Sequence, residues 1–468
     1  MSLKKGQQIE VRIEKVAFGG RGLAKVDGMT VFVDQTVPQD VALVQVFRRK
    51  KNYAEARLVT LIEPSPHRVK APCPYSGICG GCKWQFLDYT KQLEYKRQHV
   101  AEAIEHLALL DHVEVLPTLP SPKQFEYRNK MEFSASDRRW LLPEELAILE
   151  PKRGIALGLH VPGTYYKVLD IDACLLQPDL GNQLLNHVKA TIHGSSRPVY
   201  GLKSHQGFWR FLTLRHSEAS DRWMANLITT QEDRSAVEPL AQSLQERFPQ
   251  VSSVVNNITA RRSGVAVGEY EILLAGEAHI HDRIGGLDFK ISANSFFQTN
   301  TRGAERLFET VKTFAELAAG QTVADLYSGT GTIALSLARQ ARQVIGFEMV
   351  ESAVLDAESN CRRNNITNCR FIRGDLRESL KTASLRPDVM IIDPPRVGMH
   401  KEVIEQVLAM APPVIVYVSC NPATLARDLG LMKEAYDVLQ VQPVDMFPHT
   451  FHIEAIARMR RKNTRRAA

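Results

Sequence analysis

The sequence predicts an α/β chain in three parts. These are an N-terminal β-barrel of the OB type, a central α+β region with a cysteine cluster, and a C-terminal Rossmann-like, doubly wound sheet. Three observations carry this reading. Short β-rich runs crowd the N-terminus, three cysteines fall between Cys73 and Cys82, and strand-like and helical runs alternate from residue 291 onward. Such alternation is the signature of a parallel sheet with crossover helices. The expected boundaries are 1–62, 63–290 and 291–468.

A chain of 468 residues suits three domains at about 150 residues each. Apolar content of 44% and charged content of 24% place it among soluble globular proteins. No apolar run approaches the ~20 residues that cross a bilayer. The start, Met1 to Gly6, lacks the apolar stretch of a secretory signal. A cytoplasmic, monomeric protein without a membrane partner is the expectation. A net charge of +7 permits a nucleic-acid partner without requiring one.

In the first part, Gln8–Val16, Gly22–Val26, Thr30–Val33, Asp40–Arg48 and Tyr53–Ile62 read as strands separated by Gly, Asp and Pro turns. Arg48 to Lys51 form a basic loop followed by Tyr53, and Lys4, Lys5, Arg12, Lys15, Arg21 and Lys25 extend the same sign. Basic loops with nearby aromatics on a small barrel suit RNA, although a solvated turn has the same pattern. Most of residues 3–62, notably Val16 to Gly22 (VAFGGRG), resembles a TRAM domain, a β-barrel appended to RNA-modifying enzymes.

Cys73, Cys79 and Cys82, loosened by Gly77, Gly80 and Gly81, can wrap one metal centre, and Cys174 is the best remaining fourth ligand. Four thiolates suit a structural zinc or a [4Fe-4S] cluster, and spacing does not separate them. Leu93–Leu110 has helical periodicity. Glu126 to Ala135 alternates as a strand with Arg128 and Lys130 on one face. Those two suit phosphates with Tyr127 stacking a base, or they simply blunt an exposed edge. Ser235–Arg247 reads as a helix. Residues 136–165, with Trp140–Glu150, read as an insertion of no assigned role.

In the last part, Thr322–Tyr327 is a strand whose exit, Asp325 to Thr332 (DLYSGTGT), is Gly-rich and leads into the helix Ile333–Ala338. It is neither the dinucleotide fingerprint nor a P-loop. Gln343–Phe347 ends in Glu348, placed to accept ribose hydroxyls. Cys369–Ile372 leads to Asp375, which can reach an adenine amine, and Asp388–Ile392 ends in Asp393-Pro394-Pro395-Arg396. Each acid alone suits a helix cap. As a series at successive strand tips they outline an adenosine pocket. The apolar run Val414–Val418 leads to Ser419-Cys420-Asn421-Pro422 and a helix over Thr424–Leu431. A thiol at a strand tip beside a helix N-terminus can have a lowered pKa, which makes it a better nucleophile, although a lone Cys is usually a small buried hydrophobe.

The acid series resembles the S-adenosylmethionine-dependent methyltransferase fold. Arg396 stands where amino-group methyltransferases carry an aromatic. Ser295 to Asn300 (SFFQTN), the Gly-rich exit, Asp393 to Gly398 (DPPRVG), SCNP at 419–422 and Phe451 to Glu454 (FHIE) together resemble the RNA uracil-C5 methyltransferase family over nearly the whole chain. The cysteine cluster resembles that of its ribosomal-RNA branch, which implies a [4Fe-4S] centre on Cys73, Cys79, Cys82 and Cys174 and 23S ribosomal RNA as substrate. The resemblance further implies that Cys420 adds to C6 of uracil and that Glu454 removes the C5 proton. Asp393 and Arg396 would position base and thiol, while Gln298, Tyr327, Thr332, Glu348, Asp375 and Asp393 line the cofactor pocket. Phe296 or Phe297 would stack on the extruded base. The cations Arg458, Arg460, Arg461, Lys462, Arg465 and Arg466 would contact phosphates or lie disordered. The competing expectations are a transfer-RNA uracil-C5 methyltransferase and a non-catalytic RNA-binding protein with a relict pocket.

Overall fold

The computed structural model describes residues 3–148, 154–383 and 385–463. Six N-terminal strands pair in the order Gln8–Arg12, Val41–Arg49, Tyr53–Glu63, Met29–Val33, Gly22–Val26, Lys15–Val16. Alternate residues such as Val11, Val31, Val33, Val44 and Val46 turn inward onto one core, the period-2 burial expected of a one-sided sheet. The predicted run Gln8–Val16 breaks in two. Ile13 exchanges hydrogen bonds with Gln39 and Asp40, so the segments on either side pair with different strands.

The central sheet has eight strands, in the order Tyr270–Gly276, Val251–Ile258, Trp223–Thr229, Trp209–His216, Lys130–Ser136, Ala156–His160, Val168–Asp170, Arg139–Trp140. Helices Asp179–Gly194 and Arg234–Arg247 contribute Leu184, Val188, Leu240 and Leu244 to its core. The predicted strand at Glu126 starts only at Lys130, because Glu126 has φ +53°, a left-handed value that extended backbone excludes. The strand is interior, so it is not a charge-blunted edge. In the insertion, Arg139–Trp140 adds a short edge strand and Pro143–Leu146 a single helical turn. Leu149 and Glu150 lie outside the described residues.

The C-terminal sheet runs Cys369–Arg373, Gln343–Glu348, Thr322–Leu326, Val389–Ile392, Val414–Ser419, Glu454–Arg461, Tyr436–Val444, Glu114–Val115. The first five strands are parallel and Glu454–Arg461 is antiparallel to both neighbours. Val414–Ser419, the last of the five parallel strands, is covered on both faces, and Ile415, Val416 and Tyr417 are completely buried. This explains its unbroken apolar run.

Segments on either side of residue 290 share one core. Glu114–Val115 pairs with Tyr436–Val444 as the outer strand of the C-terminal sheet, and Val100 and Ile104 of the helix Tyr89–His106 enter its core. The hairpin His279–Ile284/Leu287–Ser292 sends Ile280, Phe289 and Ile291 into the core shared with Phe308 and Val311. An apolar stripe is buried wherever a complementary face lies uncovered, whatever its place in the chain. Among the described residues, no helix is long and apolar enough to cross a membrane.

Candidate active site

Cys420 follows the strand Val414–Ser419 directly. Asn421 caps the helix Pro422–Met432 by accepting from Ala423 N at 3.1 Å. The Asn421 side chain also donates to Arg396 O (3.1 Å), as does Thr424 Oγ1 (3.3 Å), which joins the loop after Asp393 to the cysteine turn. The Arg396 guanidinium donates to the Cys420 thiol.

The register pairs Ser419 with Ala455. Continuing one step past that pair places Cys420 beside Glu454. Glu454 begins an interior strand, so it is not a surface carboxylate on an edge. Burial first, and Asp393 second, raise its pKa well above the ordinary value, with Arg396 opposing. Burial pushes Asp393 up to about 7. The expected lowering of the thiol pKa is not found. Burial raises the Cys420 pKa, and the nearby Glu454 and Asp393 raise it further, while Arg396 pulls it down. Desolvation and two acids outweigh one cation and a helix end.

The neighbouring strand tips form a hollow of about 650 Å³ lined by Tyr327, Glu348, Asp375, Arg377, Val397 and His400 among others. Tyr327 has φ +62°, and Gly329 (φ +53°) has no atom within 4 Å of where a Cβ would stand. A ligand can therefore approach this backbone closely. Glu348 accepts from Gly329 N (2.9 Å), Met349 N and Val350 N (both 2.8 Å). Asp375 caps its helix and is gripped by the Arg377 guanidinium, which holds its carboxyl down at about 2.

Behind the Gly-rich exit, Asp325 is 1% exposed and neither carboxylate oxygen has a hydrogen-bond partner. Burial, with Asp393 and Glu348 adding to it, raises its pKa well above the ordinary value. The Ser328 hydroxyl is also unpaired. An orphaned buried carboxylate beside an open glycine turn calls for a cationic donor. S-adenosylmethionine, with its ammonium and sulfonium, supplies one, so the residues present fit this cofactor.

Three of the expected cofactor residues, Gln298, Thr332 and Asp393, are not among those lining this hollow. Thr332 is the first residue of the helix Thr332–Ala338 and turns onto its flank, where it lines a separate hollow with Phe289, Phe308 and Ser336. Gln298 sits in the loop before the helix Thr301–Ala315, its carbonyl accepting from Asn129 Nδ2 at 2.8 Å, and it is not among the residues lining the 650 Å³ hollow. Phe297 is 4% exposed in the core and cannot stack on a base, whereas Phe296 is 68% exposed. Tyr127 is also core rather than a stacking platform, since it is 4% exposed and its hydroxyl donates to Pro448 O. Lys130 is held by Glu132. In the tail, Arg458 and Arg460 pair with Glu316, and Lys462 with Asp437. Arg465 and Arg466 lie outside the described residues.

Cys73, Cys79, Cys82 and Cys174 converge on one hollow of about 500 Å³, with Arg128, Lys130 and Thr299 also on its wall. Burial, with each other's proximity, pushes Cys79 to about 11 and Cys82 to about 12. Among the described residues, the donors that gather within 4.8 Å of one another are Glu277, His279 and His281. The thiols are spread wider than this, whereas a tetrahedral zinc at ~2.3 Å from each sulfur would draw its ligands to about 3.8 Å of one another. Sequence reasoning quoted Asp325 without a role. Its one signal was an acid standing immediately before a glycine-rich strand exit.

The tRNA (uracil-5-)-methyltransferase family profile matches residues 221–462 and the TRAM domain profile matches residues 2–59. An RNA methyltransferase of Chlorobaculum tepidum is 41% identical over 97% of this chain and 96% of its own. One from Clostridium tetani is 36% identical over 99% and 100%. The crystal structure of Pyrococcus abyssi tRNA (uracil-54, C5)-methyltransferase with S-adenosyl-L-homocysteine superposes with a TM-score of 0.75, at 28% identity, over 96% of this chain and all of that one. The acid-lined hollow beside a glycine turn, the TRAM barrel and these full-length relatives agree: the chain belongs to the RNA uracil-5-methyltransferase family and is an S-adenosylmethionine-dependent enzyme that binds RNA.

Proposed function

We propose that the enzyme methylates C5 of a uridine in ribosomal RNA through a covalent Cys420 adduct. The observation that carries this is the adjacency of Cys420 and Glu454 at the ends of two antiparallel strands. S-adenosylmethionine supplies an electrophilic methyl group. Arg396 stabilises the Cys420 thiolate by hydrogen bond and charge. The thiolate adds to C6 of the extruded uracil, and the electron pair displaced onto C5 would form the bond to the methyl carbon as the methyl–sulfonium bond breaks and S-adenosylhomocysteine departs. Glu454 then takes the C5 proton, the C5–C6 double bond re-forms, and the thiolate leaves. A carboxyl whose pKa is raised is the stronger base once ionised, which suits removal of a carbon-bound proton. Asp393, at the same strand-tip cluster, would hold the base edge.

Cys73, Cys79, Cys82 and Cys174 would hold a [4Fe-4S] cluster, a reading supported by the width of their arrangement. The exposed Arg49, Lys50 and Lys51 of the barrel would carry RNA phosphates. A second reading, transfer RNA as substrate, is favoured by the likeness to the Pyrococcus abyssi tRNA (uracil-54, C5)-methyltransferase.

Two experiments test the proposal. Protein with Cys420→Ala should form no covalent adduct with 5-fluorouridine RNA, and a persistent adduct would remove the thiol from its role. Mapping 5-methyluridine by mass spectrometry in both RNA pools of a deletion strain should show loss from ribosomal RNA. Loss from transfer RNA alone would establish the second reading.

A further inference from the structure

The loop 445–453 connects Tyr436–Val444 to Glu454 and is held by a distant part of the chain. Lys96 and Asp445, 349 residues apart, form an ion pair at 2.6 Å with both side chains wholly buried. Lys96 Nζ also donates to Phe447 O (3.1 Å), and Tyr89 OH donates to Asp445 Oδ2 (2.9 Å). His449 N donates to Gln92 Oε1 at 2.8 Å. Gln92 Nε2 in turn donates to Trp84 O (3.0 Å) and Leu87 O (2.8 Å). The backbone N–H groups of Lys83 and Trp84 both donate to His449 O at 2.9 Å. His449 itself is left-handed, with φ +64°, a strained conformation for a non-glycine residue that persists only where its surroundings over-determine it.

We infer that Gln92 and Lys96, on the helix Tyr89–His106, are positioning residues for Glu454: they clamp the loop that delivers the catalytic base to the C5 proton. The inference rests on the reading of Glu454 as that base. The clamp reaches the loop from the helix and from the segment directly after Cys82, so the cysteine centre and the base share one scaffold. The hydrogen bonds of Gln92 and Lys96 run to the loop before Glu454 and to the segment after Cys82, so the clamp acts on the placement of the base. A misplacement of the base by about 1 Å is enough for a loss on the order of 10²-fold.

The two half-reactions separate the effects. Adduct formation on 5-fluorouridine RNA needs Cys420 and the methyl donor but no base, because C5 carries fluorine where the proton would be. Gln92→Leu should form that adduct within about 2-fold of the wild-type rate while turnover on uridine RNA falls by about 10²-fold. Covalent protein–RNA complex should accumulate on uridine RNA, as it does for Glu454→Gln. If Gln92→Leu loses its fold, Lys96→Met with Asp445→Asn, which leaves no unpaired buried charge, gives the same readings. Equal loss of adduct formation and turnover, or no loss, overturns the clamp. Normal turnover by Glu454→Gln overturns the base assignment instead, so the two failures are distinguishable.

Discussion

Asp325 and Asp393 stand near the tips of neighbouring parallel strands, Thr322–Leu326 and Val389–Ile392, and Asp393 adds to burial in raising the Asp325 pKa well above its ordinary value. Two carboxyls kept from water and close to one another cannot both ionise without cost. Burial and the neighbouring acid therefore disfavour the charged form of Asp325, and its unpaired carboxyl is costly unless a cation meets it.

Asp325→Asn should consequently stabilise the empty protein, by about 1 kcal/mol, because no proton need be taken up at neutral pH to fold. It should also weaken S-adenosylmethionine binding by about 10-fold or more, since the cation loses its carboxylate. Thermal melting and calorimetric titration check the two signs, which are opposite.

Asp393 links stability to pH. Its folded pKa is about 7 against about 3.9 unfolded, so the folded state holds the proton longer. That contribution is fully present below pH about 4 and is lost as pH rises through 7. Asp393→Asn should therefore gain stability relative to wild type as pH rises from about 4 through 7, by up to about 4 kcal/mol at pH 8. Denaturant midpoints at pH 5 and pH 8 measure the difference.

Glu454→Gln should leave thermal stability undiminished, since burial already disfavours the charged form of this carboxyl. Turnover should fall by about 10³-fold with accumulation of covalent complex. A gel resolving protein from protein–RNA adduct reads the outcome directly.

Arg396→Gln removes the one cation that pulls the Cys420 pKa down. The rate of adduct formation should then rise only at higher pH than in wild type. A pH profile of the 5-fluorouridine reaction shows the shift, and an unchanged profile would detach Arg396 from the thiol.

Protein purified without oxygen should carry iron and sulfide and absorb broadly in the visible. Cys174→Ser should lose both and melt several degrees lower. Zinc without iron in the wild-type protein would reverse the cluster assignment.

Much of this was legible in the residues. The alternation after residue 291, the apolar run Val414–Val418 and the acids at successive strand tips follow from local periodicity and turn chemistry, and they place Cys420, Glu348, Asp375 and Asp393 at one end of a sheet. Local pattern reports which face of an element is apolar, but not what covers it. The sequence alone therefore determined the order and type of most elements and the family. Tertiary structure decided that Glu454 meets Cys420 across a strand pair, that Tyr127 and Phe297 are core, and that Thr332 faces a different hollow. It also decided that the thiol pKa rises and that the helix Tyr89–His106 belongs with the catalytic sheet. Each of these depends on burial and on contacts between residues hundreds of positions apart, which only the closed fold creates.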